Sequence, residues 1–148
     1  MNSVRIRPLT SLDAIGPLLV EAEQQGCEFM RRLVEEWASG ANRFDGKGEC
    51  FLGAFSAGQL LGVVGLNRDP YADTEQIGRV RHLYVLASAR RHGVGSLLVH
   101  HALQEARRSF TIVRLRTTPS AAAFYLRLGF TSIDEKTASH VMIFGSGA

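Results

Sequence analysis

Residues 90–106 read RRHGVGSLLVHHALQEA, and the predicted architecture depends most on this stretch. Two glycines, Gly93 and Gly95, stand where an apolar pattern of helical spacing begins. A glycine in a helix interior costs about 1 kcal/mol relative to alanine, so both residues weaken the helix that they open. Between a strand and a helix, however, glycines let the main chain approach a ligand, and the helix start directs free N–H groups at an anion. The stretch therefore favours a turn that binds a diphosphate.

The best-known glycine-rich nucleotide motifs are incomplete in this chain. A P-loop requires GxxxxGK[ST], which is absent, and the dinucleotide fingerprint GxGxxG requires a third glycine where Leu98 stands. An ordinary turn from loop to helix would use the same two glycines, so the pair alone leaves both interpretations open.

The hydrophobic pattern along the chain predicts an α/β protein. Helical periods occur at 12–26, 28–40, 96–108 and 119–129, with Thr10 and Ser11 as N-caps of the first helix and Thr118 as N-cap of the last. Strand patterns occur at 3–9, at 48–68 as a hairpin around SAGQ, and at 79–86, 111–118, 130–133 and 139–145. This order predicts one domain over 1–148, a central mixed sheet flanked by about four helices.

Composition indicates an ordinary globular protein without a membrane segment. The chain has 148 residues, of which 45% are hydrophobic, and its longest apolar runs, such as LLGVVGL at 60–66, are far shorter than the roughly 20 residues that span a bilayer. No hydrophobic leader follows Met1, so we expect a cytoplasmic protein with no membrane partner. Cys27 and Cys50 show neither metal-ligand nor disulfide spacing and are expected to be reduced.

Positive charge is concentrated around the glycine stretch. The net charge is only +3, but a basic cluster lies within fourteen residues: Arg79, Arg81, His82, Arg90, Arg91 and His92. Such a cluster is suited to a phosphorylated partner, although solvated arginines would give the same pattern. A small nucleic-acid-binding domain is a rival hypothesis, but the aromatic pair at 124–125 lies in a predicted helix rather than on a stacking strand. We therefore predict no nucleic-acid partner.

Three segments together resemble one protein family. RRHGVG at 90–95 resembles the Arg/Gln-x-x-Gly-x-Gly/Ala signature of the GCN5-related N-acetyltransferases (GNAT). LYV at 83–85 resembles the strand before that signature, and TPSAAAFYLRLGF at 118–130 resembles the later Asn-x-x-Ala-x-x-Phe-Tyr-x-x-x-Gly-Phe segment, with threonine in place of asparagine. The order of strands and helices is similar over almost the whole chain. Three elements in the correct order are more specific than any one, and they imply a GNAT-like fold.

The resemblance implies that acetyl-CoA lies where the strands 79–86 and 111–118 separate. Main-chain N–H groups of the signature would hold the pyrophosphate, where side chains at both glycines would crowd it, and main-chain groups of the strand would hold the pantetheine arm. The implied coenzyme-binding residues are Leu83, Tyr84, Val85, Arg90, Arg91, His92, Gly93, Val94, Gly95, Ser96, Thr118 and Phe124. No metal is expected, because His100 and His101 are adjacent on a helix and point about 100° apart.

The resemblance also implies transfer of an acetyl group to a primary amine, and it places Tyr125 beside the coenzyme sulfur. A phenol with a pKa of about 10 is protonated at neutral pH and can protonate a thiolate whose conjugate acid has a pKa of about 8.5. Tyr125 is therefore the predicted general acid. Simple aromatic packing beside Phe124 and Phe130 is the alternative interpretation.

The general base is missing from its usual place. Several family members carry glutamate or histidine on the strand before the signature, whereas this chain has Arg79 and Arg81, which cannot accept a proton. Their forked donors would instead bind a carboxylate or phosphate of the acceptor, unless they are solvated or paired within the protein. Strand alternation puts Val80, His82 and Tyr84 on the opposite face. His82 would reach the acceptor only through a bulge, so we expect a satisfied histidine packed under a helix.

Several functional questions stay open in the sequence. Water, or Asp73 or Glu75 of a polar loop, would relay the amine proton. A catalytically weak acyl-CoA-binding sensor or interaction module of the same fold is the alternative function, because the base is missing. The family often dimerises, so a homodimer is one assembly that the resemblance implies. The pattern does not identify the amine.

Overall fold

The computed structural model describes residues 3–145, so the two ends of the predicted 1–148 domain lie outside the described residues. In chain order the elements are β1 (Arg5–Pro8), α1 (Gly16–Gln24), α2 (Phe29–Ser39), β2 (Cys50–Ser56), β3 (Gln59–Arg68), β4 (Ile77–Val85), α3 (Val94–Ala106), β5 (Ile112–Leu115), α4 (Ala122–Arg127), β6 (Thr131–Ser132) and β7 (His140–Ile143). The strands form one seven-stranded sheet in the order β1-β2-β3-β4-β5-β7-β6. Only the β4–β5 pair is parallel among these neighbours. The predicted mixed sheet with four helices is confirmed.

Helices cover both faces of the sheet and bury two apolar clusters. On one face α3 buries Leu98, Val99 and Ala102, which recur at helical spacing. On the other face α1 and α2 bury Leu18 and Met30 among the residues that pack against β3 and β4. Within residues 3–145, none of the helices is both long and apolar enough to span a membrane. The sheet is therefore the common wall between two helical layers.

The predicted hairpin between β2 and β3 is confirmed. Ala57 and Gly58 form its turn with φ angles of +51° and +79°, and the two strands pair from Ser56 and Gln59 outward. Two consecutive residues with positive φ are typical of the two-residue turns that match the twist of antiparallel strands. Positive φ at Gly58 is a conformation that glycine adopts at little cost.

The predicted N-caps of α1 are wrong. The helix begins only at Gly16, with Ile15 as N-cap and no side-chain hydrogen bond there. Pro17 occupies the first turn, where its fixed φ is compatible with a helix and its missing N–H is not needed. The residues that precede it form turns instead, and the Ser11 hydroxyl accepts a hydrogen bond from the Asp13 N–H at 3.4 Å.

The predicted cap of the last helix is also wrong. α4 begins at Ala122 with Ala121 as N-cap, and no side chain caps it. The Thr118 carbonyl accepts a turn hydrogen bond from the Ala121 N–H at 3.1 Å, and its hydroxyl lies 3.0 Å from that of Ser120. The Thr118 side chain therefore stabilises a turn before the helix.

β4 and β5 lie side by side only at their first residues. Ile77, Gly78 and Arg79 pair with Ile112, Val113 and Arg114, after which β5 ends at Leu115 while β4 continues to Val85. The two parallel strands thus separate as the resemblance implies, and they leave an open cleft in the middle of the sheet.

Candidate active site

A β-bulge in β4 shapes one wall of this cleft. Tyr84 pairs with Val63, whereas Arg81 pairs with Gly65, so β4 contains one more residue than β3 between these two pairs. His82 lies in the bulge with a φ of +58°, a conformation that is uncommon for any residue other than glycine.

The bulge overturns the strand alternation predicted from the sequence. Arg81, His82 and Tyr84 all face the layer of α1 and α2, as three contacts show. Arg81 Nη2 lies 3.7 Å from Glu36 Oε1, the His82 ring centroid lies 6.1 Å from that of Phe29, and the Tyr84 hydroxyl donates to Glu21 Oε2 at 2.6 Å. The extra residue reverses the alternation beyond Arg81, which a period-two pattern cannot record.

His82 is packed as expected but lacks the expected hydrogen bonds. Its side chain is 8% exposed and lies between the rings of Phe29 and Phe44. Neither ring nitrogen makes a hydrogen bond of acceptable geometry within the described chain. Burial lowers the pKa of His82 to about 3, and the charges of Arg81 and Arg32 contribute to the lowering. The Phe29 main chain acts in the opposite direction and raises the pKa by less. His82 is therefore a neutral imidazole whose two nitrogens are unpaired.

The cleft cavity has a volume of about 490 Å³ and is lined by α2, β4, the end of β5, the segment that follows it, and α4. Tyr125 forms part of its wall, 8% exposed, with its ring edge-on to Phe124 at 5.0 Å and Phe130 at 5.7 Å. Burial raises the pKa of Tyr125 to about 12. Among residues 3–145 nothing hydrogen-bonds its hydroxyl. A protonated phenol is therefore available to a ligand in the cavity.

The charged groups that line the cleft cavity are all positive. Four arginines contribute to its wall, and no carboxylate of the described chain does: Arg32, Arg79, Arg81 and Arg116. No sequence motif points to Arg32 or Arg116, because one belongs to α2 and the other follows β5. Asp73 and Glu75, considered above as proton relays, do not line this cavity. Glu75 instead pairs with Arg68 at 3.3 Å.

Both predicted anion-binding arginines already have partners inside the protein. Arg79 is buried: its Nη2 donates to the Thr137 carbonyl at 2.7 Å and its Nη1 lies 3.7 Å from Asp69 Oδ2. The side chain of Arg79 also lies over the Tyr71 ring, 5.0 Å from its centroid. Arg81 has one partner, Glu36, at 3.7 Å. Of the two, Arg81 is therefore the arginine that an acceptor could more easily engage.

The open edge of β4 offers main-chain groups to a ligand. The Leu86 N–H donates to the Leu61 carbonyl of β3 at 2.8 Å, so alternation in the antiparallel ladder directs the main chain of Tyr84 at β3 as well. Leu83 and Val85 consequently face the cleft. Of the three residues at 83–85 for which main-chain contacts are predicted, Leu83 and Val85 are therefore the two whose main chain is open to a ligand.

The side chains of Tyr84 and Arg90 join β4 to α1. Besides its bond to Glu21, the Tyr84 hydroxyl lies 3.1 Å from Gln25 Oε1, and Arg90 lies over the Tyr84 ring at 5.4 Å. Arg90 Nε donates to the Val85 carbonyl at 2.9 Å, and its Nη2 donates to Gln25 at 3.0 Å. The signature arginine thus fixes the turn that follows it. Glu21 and Gln25 are one helical turn apart, and this spacing is the sequence feature that could have predicted the contacts of Tyr84 and Arg90 with α1.

The glycine turn leaves the start of α3 open. Arg91 and Gly93 have φ angles of +67° and +80°, Gly93 is the N-cap, and no side chain caps the helix. A Cβ at Gly93 would meet nothing within 4 Å, so in the protein alone this glycine is required by its backbone conformation. A Cβ at Gly95 would lie 3.4 Å from Phe124, which lines the cleft cavity. Free N–H groups at a helix start suit a diphosphate, so these residues fit the coenzyme predicted here.

The other predicted contacts have mixed positions. Thr118 and Phe124 line the cleft cavity, and Arg91 and His92 are exposed beside the turn. In the described part of the chain, no group of three or more potential ligands is arranged to hold a metal ion. Cys27 and Cys50 are free thiols, and burial raises the pKa of Cys50 to about 12.

The proteins described next, which are similar to this chain in sequence or in structure, are all described as acetyltransferases. A family model described as an acetyltransferase (GNAT) domain matches residues 46–132, more than half of the chain. N-acetyltransferase family 8 member 3 of Rattus norvegicus is 36% identical over 92 residues, which cover 58% of this chain. The matched segment spans only 40% of that curated relative's length.

Solved structures with a similar fold cover nearly the whole chain. A protein of Exiguobacterium sp. 255-15, provisionally described as an acetyltransferase, has a TM-score of 0.86 and 28% identity over 95% of this chain and 93% of its own. A GNAT-family acetyltransferase of Brucella melitensis in complex with acetyl-CoA has a TM-score of 0.71 and 17% identity, covering 98% and 90% of the two chains. The second likeness shows a shared fold.

Proposed function

This chain belongs to the GCN5-related N-acetyltransferase (GNAT) family, and from this membership we propose that it transfers an acetyl group from acetyl-CoA to a primary amine. One observation carries the proposal. Tyr125 and Phe124 line the cleft cavity between β4 and β5, and Phe124 also lies beside Gly95 at the uncapped start of α3.

The chain's own residues suggest how acetyl-CoA would be held. The N–H groups at Val94, Gly95 and Ser96 are among the first of α3 and would receive the diphosphate, with Arg91 adding positive charge and His92 a further polar side chain beside the turn. The main chain of β4 facing the cleft would hold the pantetheine arm. This path leads from the glycine turn along β4 toward Tyr125.

Tyr125 would act as the general acid. The amine nitrogen attacks the thioester carbonyl carbon, the carbon–sulfur bond breaks, and the phenol donates its proton to the departing thiolate. Because burial raises the pKa of Tyr125 to about 12, the hydroxyl keeps its proton at neutral pH until the thiolate forms. The amine proton would pass to water, since His82, with a pKa of about 3, is a weak base in the free protein.

The acceptor would carry an anionic group close to its amine. The cavity that contains Tyr125 has arginines as its only charged lining within the described chain. Arg81 would contact that group through the guanidinium that now faces Glu36, and Arg79 would support it from its buried position. A positively charged polyamine would be repelled by the same surface.

A catalytically weak acyl-CoA sensor or interaction module is the second candidate. The specific observation that favours it is the absence of a carboxylate base from the cleft cavity in residues 3–145. Such a protein would bind acetyl-CoA and release its thiol slowly, with no dependence on added amine.

Release of free CoA thiol from acetyl-CoA, measured with a panel of primary amines, tests the proposal. The proposal expects release that saturates with at least one amine and yields the N-acetyl product by mass spectrometry. Amine-independent hydrolysis with intact coenzyme binding would instead support the sensor. Absence of acetyl-CoA binding would remove both candidates.

A further inference from the structure

We propose that Arg32 of α2, together with Arg81 of β4, binds a carboxylate of the acceptor, so that the substrate is an amine bearing a carboxylate group. This inference rests on the proposed acetyl transfer and names the acceptor class of that same site. Arg32 belongs to no segment that resembles the family signature.

Arg32 is the uncommitted guanidinium of the cleft cavity. Its side chain is exposed and lines the cavity, and it makes no ion pair or side-chain hydrogen bond within residues 3–145. Arg79 is held by Asp69 and Thr137, and Arg116 Nη1 donates to the Lys136 carbonyl at 2.9 Å. A ligand can therefore engage Arg32 without breaking an internal contact.

Arg81 already forms an ion pair with a carboxylate in the free protein. Glu36 lies one helical turn beyond Arg32 on α2, and its Oε1 is 3.7 Å from Arg81 Nη2. The side chains of Arg81 and Glu36 are 15% and 29% exposed, and both line a cavity, so an acceptor carboxylate that took the place of Glu36 would keep the largely buried Arg81 paired. The Glu36 carboxylate thus marks where an acceptor carboxylate would lie.

The two arginines act on the same part of the cavity. The charges of both Arg32 and Arg81 bear on the buried imidazole of His82, which lines the cavity beside them. Like charges that converge in a concave site raise its affinity for an anion, and Glu36, which pairs with Arg81 in the free protein, is the acid that an acceptor carboxylate would replace. A carboxylate between them would be paired from two sides by forked donors.

A second cavity leads to these arginines from the side away from the glycine turn. This rim cavity, of about 570 Å³, is lined mainly by α2 and the segments 40–49 and 67–72, and it shares Arg32, Arg81 and Tyr71 with the cleft cavity. Unlike the cleft cavity it also has four carboxylates of the described chain in its lining, those of Glu36, Asp45, Glu49 and Asp69, so of these two cavities the purely positive lining is confined to the cleft cavity. Buried Asn67 also lines the rim cavity, and its Oδ1 has no hydrogen-bond partner within residues 3–145. No residue of 90–96 lines either cavity, so this anion site is separate from the coenzyme diphosphate site.

Matched pairs of acceptors test the inference. Amino acids and their uncharged amides would be compared for thiol release by the wild type, Arg32→Ala, Glu36→Gln and the control Arg31→Ala, which alters an exposed neighbour on α2 outside both cavities. We expect the wild type to prefer the carboxylate member. Arg32→Ala should raise its KM by about tenfold with little change in kcat or in the KM of the amide. Glu36→Gln should lower the carboxylate KM, and Arg31→Ala should change neither.

Each contrary outcome has a separate meaning. Equal use of acids and amides, or a preference for aminoalkyl phosphates, overturns the carboxylate assignment while acetyl transfer stands. A weaker acetyl-CoA affinity in Arg32→Ala, with acceptor KM unchanged, would assign Arg32 to the coenzyme and overturn the inference. Acetylation of no amine at all would overturn the proposed function, and this inference with it.

Discussion

The Tyr125 side chain is buried and lines the cleft cavity, and within residues 3–145 its hydroxyl has no hydrogen-bond partner. We expect Tyr125→Phe to lower kcat by about 10², because the proton donor is lost while the ring packing against Phe124 and Phe130 is kept. Thiol release gives kcat, and equilibrium titration gives the acetyl-CoA Kd, which should stay nearly constant. Leu126→Ala, at an exposed position of α4, is the control. An equal loss of coenzyme binding would contradict the role of a proton donor.

His82 should make the fold sensitive to acid. Its pKa is lowered from 6.5 to about 3, so the unfolded chain binds a proton more readily than the folded one as pH falls below 6.5. The free energy of unfolding should therefore drop by about 2 kcal/mol between pH 7.5 and pH 5, and further toward pH 3. Urea unfolding at both pH values checks this.

The matched variant for that measurement is His82→Asn. Asparagine tolerates the positive φ of the bulge and does not titrate. Between pH 7.5 and pH 5 the His82→Asn variant should therefore lose about 2 kcal/mol less unfolding free energy than the wild type. His92→Asn, at an exposed position, should behave as the wild type. Identical pH dependence in all three proteins would refute the assignment to His82.

At the scale of elements, the glycine turn separates two requirements. Gly93→Ala should cost about 1 kcal/mol of unfolding free energy, because alanine is strained at a φ of +80°. Gly95→Leu should leave a folded domain but abolish acetyl-CoA binding, because the larger side chain would fill the space beside Phe124. Circular dichroism and calorimetric titration distinguish the two effects. Retained affinity in Gly95→Leu would argue against the diphosphate site.

Sequence patterns predicted the elements better than their ends and faces. The period of α3 and the hairpin follow from local pattern, the separation of β4 from β5 is implied by the family resemblance, and all three are present. The bulge at His82 depends on the register with β3, and the start of α1 depends on Pro17 and packing. Neither property is contained in hydrophobic spacing, which is why the faces of β4 and the caps were predicted wrongly.

At the scale of the whole molecule, Asp69 joins segments that are distant in sequence. Its fully buried carboxylate lies 3.7 Å from Arg79 of β4 and 3.9 Å from Arg114 of β5. We expect Asp69→Ala to cost about 3 kcal/mol, because buried Arg79 would lose its counterion. Glu75→Ala, which removes an exposed pair, should cost less than about 1 kcal/mol. Chemical unfolding measures both, and equal effects would show that the buried cluster contributes little.

The site is predictable from sequence only where it coincides with a continuous motif. Tyr125, Phe124 and the glycine turn lie in segments that resemble the family; the two aromatic residues line the cleft cavity, and Gly95 of the turn lies beside Phe124. Arg32 and Glu36 enter from α2, whose position over the sheet is set by burial of residues such as Met30 and Leu33. Tertiary packing, which no local pattern encodes, brings them to Arg81.

Hydrogen–deuterium exchange can detect the separation of β4 from β5. Amide hydrogens at Leu83 and Val85 face the gap, so in the free protein they should exchange with solvent quickly, whereas that of Val63, a β3 residue that pairs with both neighbouring strands, should persist. A ligand with amides of its own would act there as a temporary extra strand. Slowed exchange confined to this edge would trace the ligand's path along the sheet without a crystal.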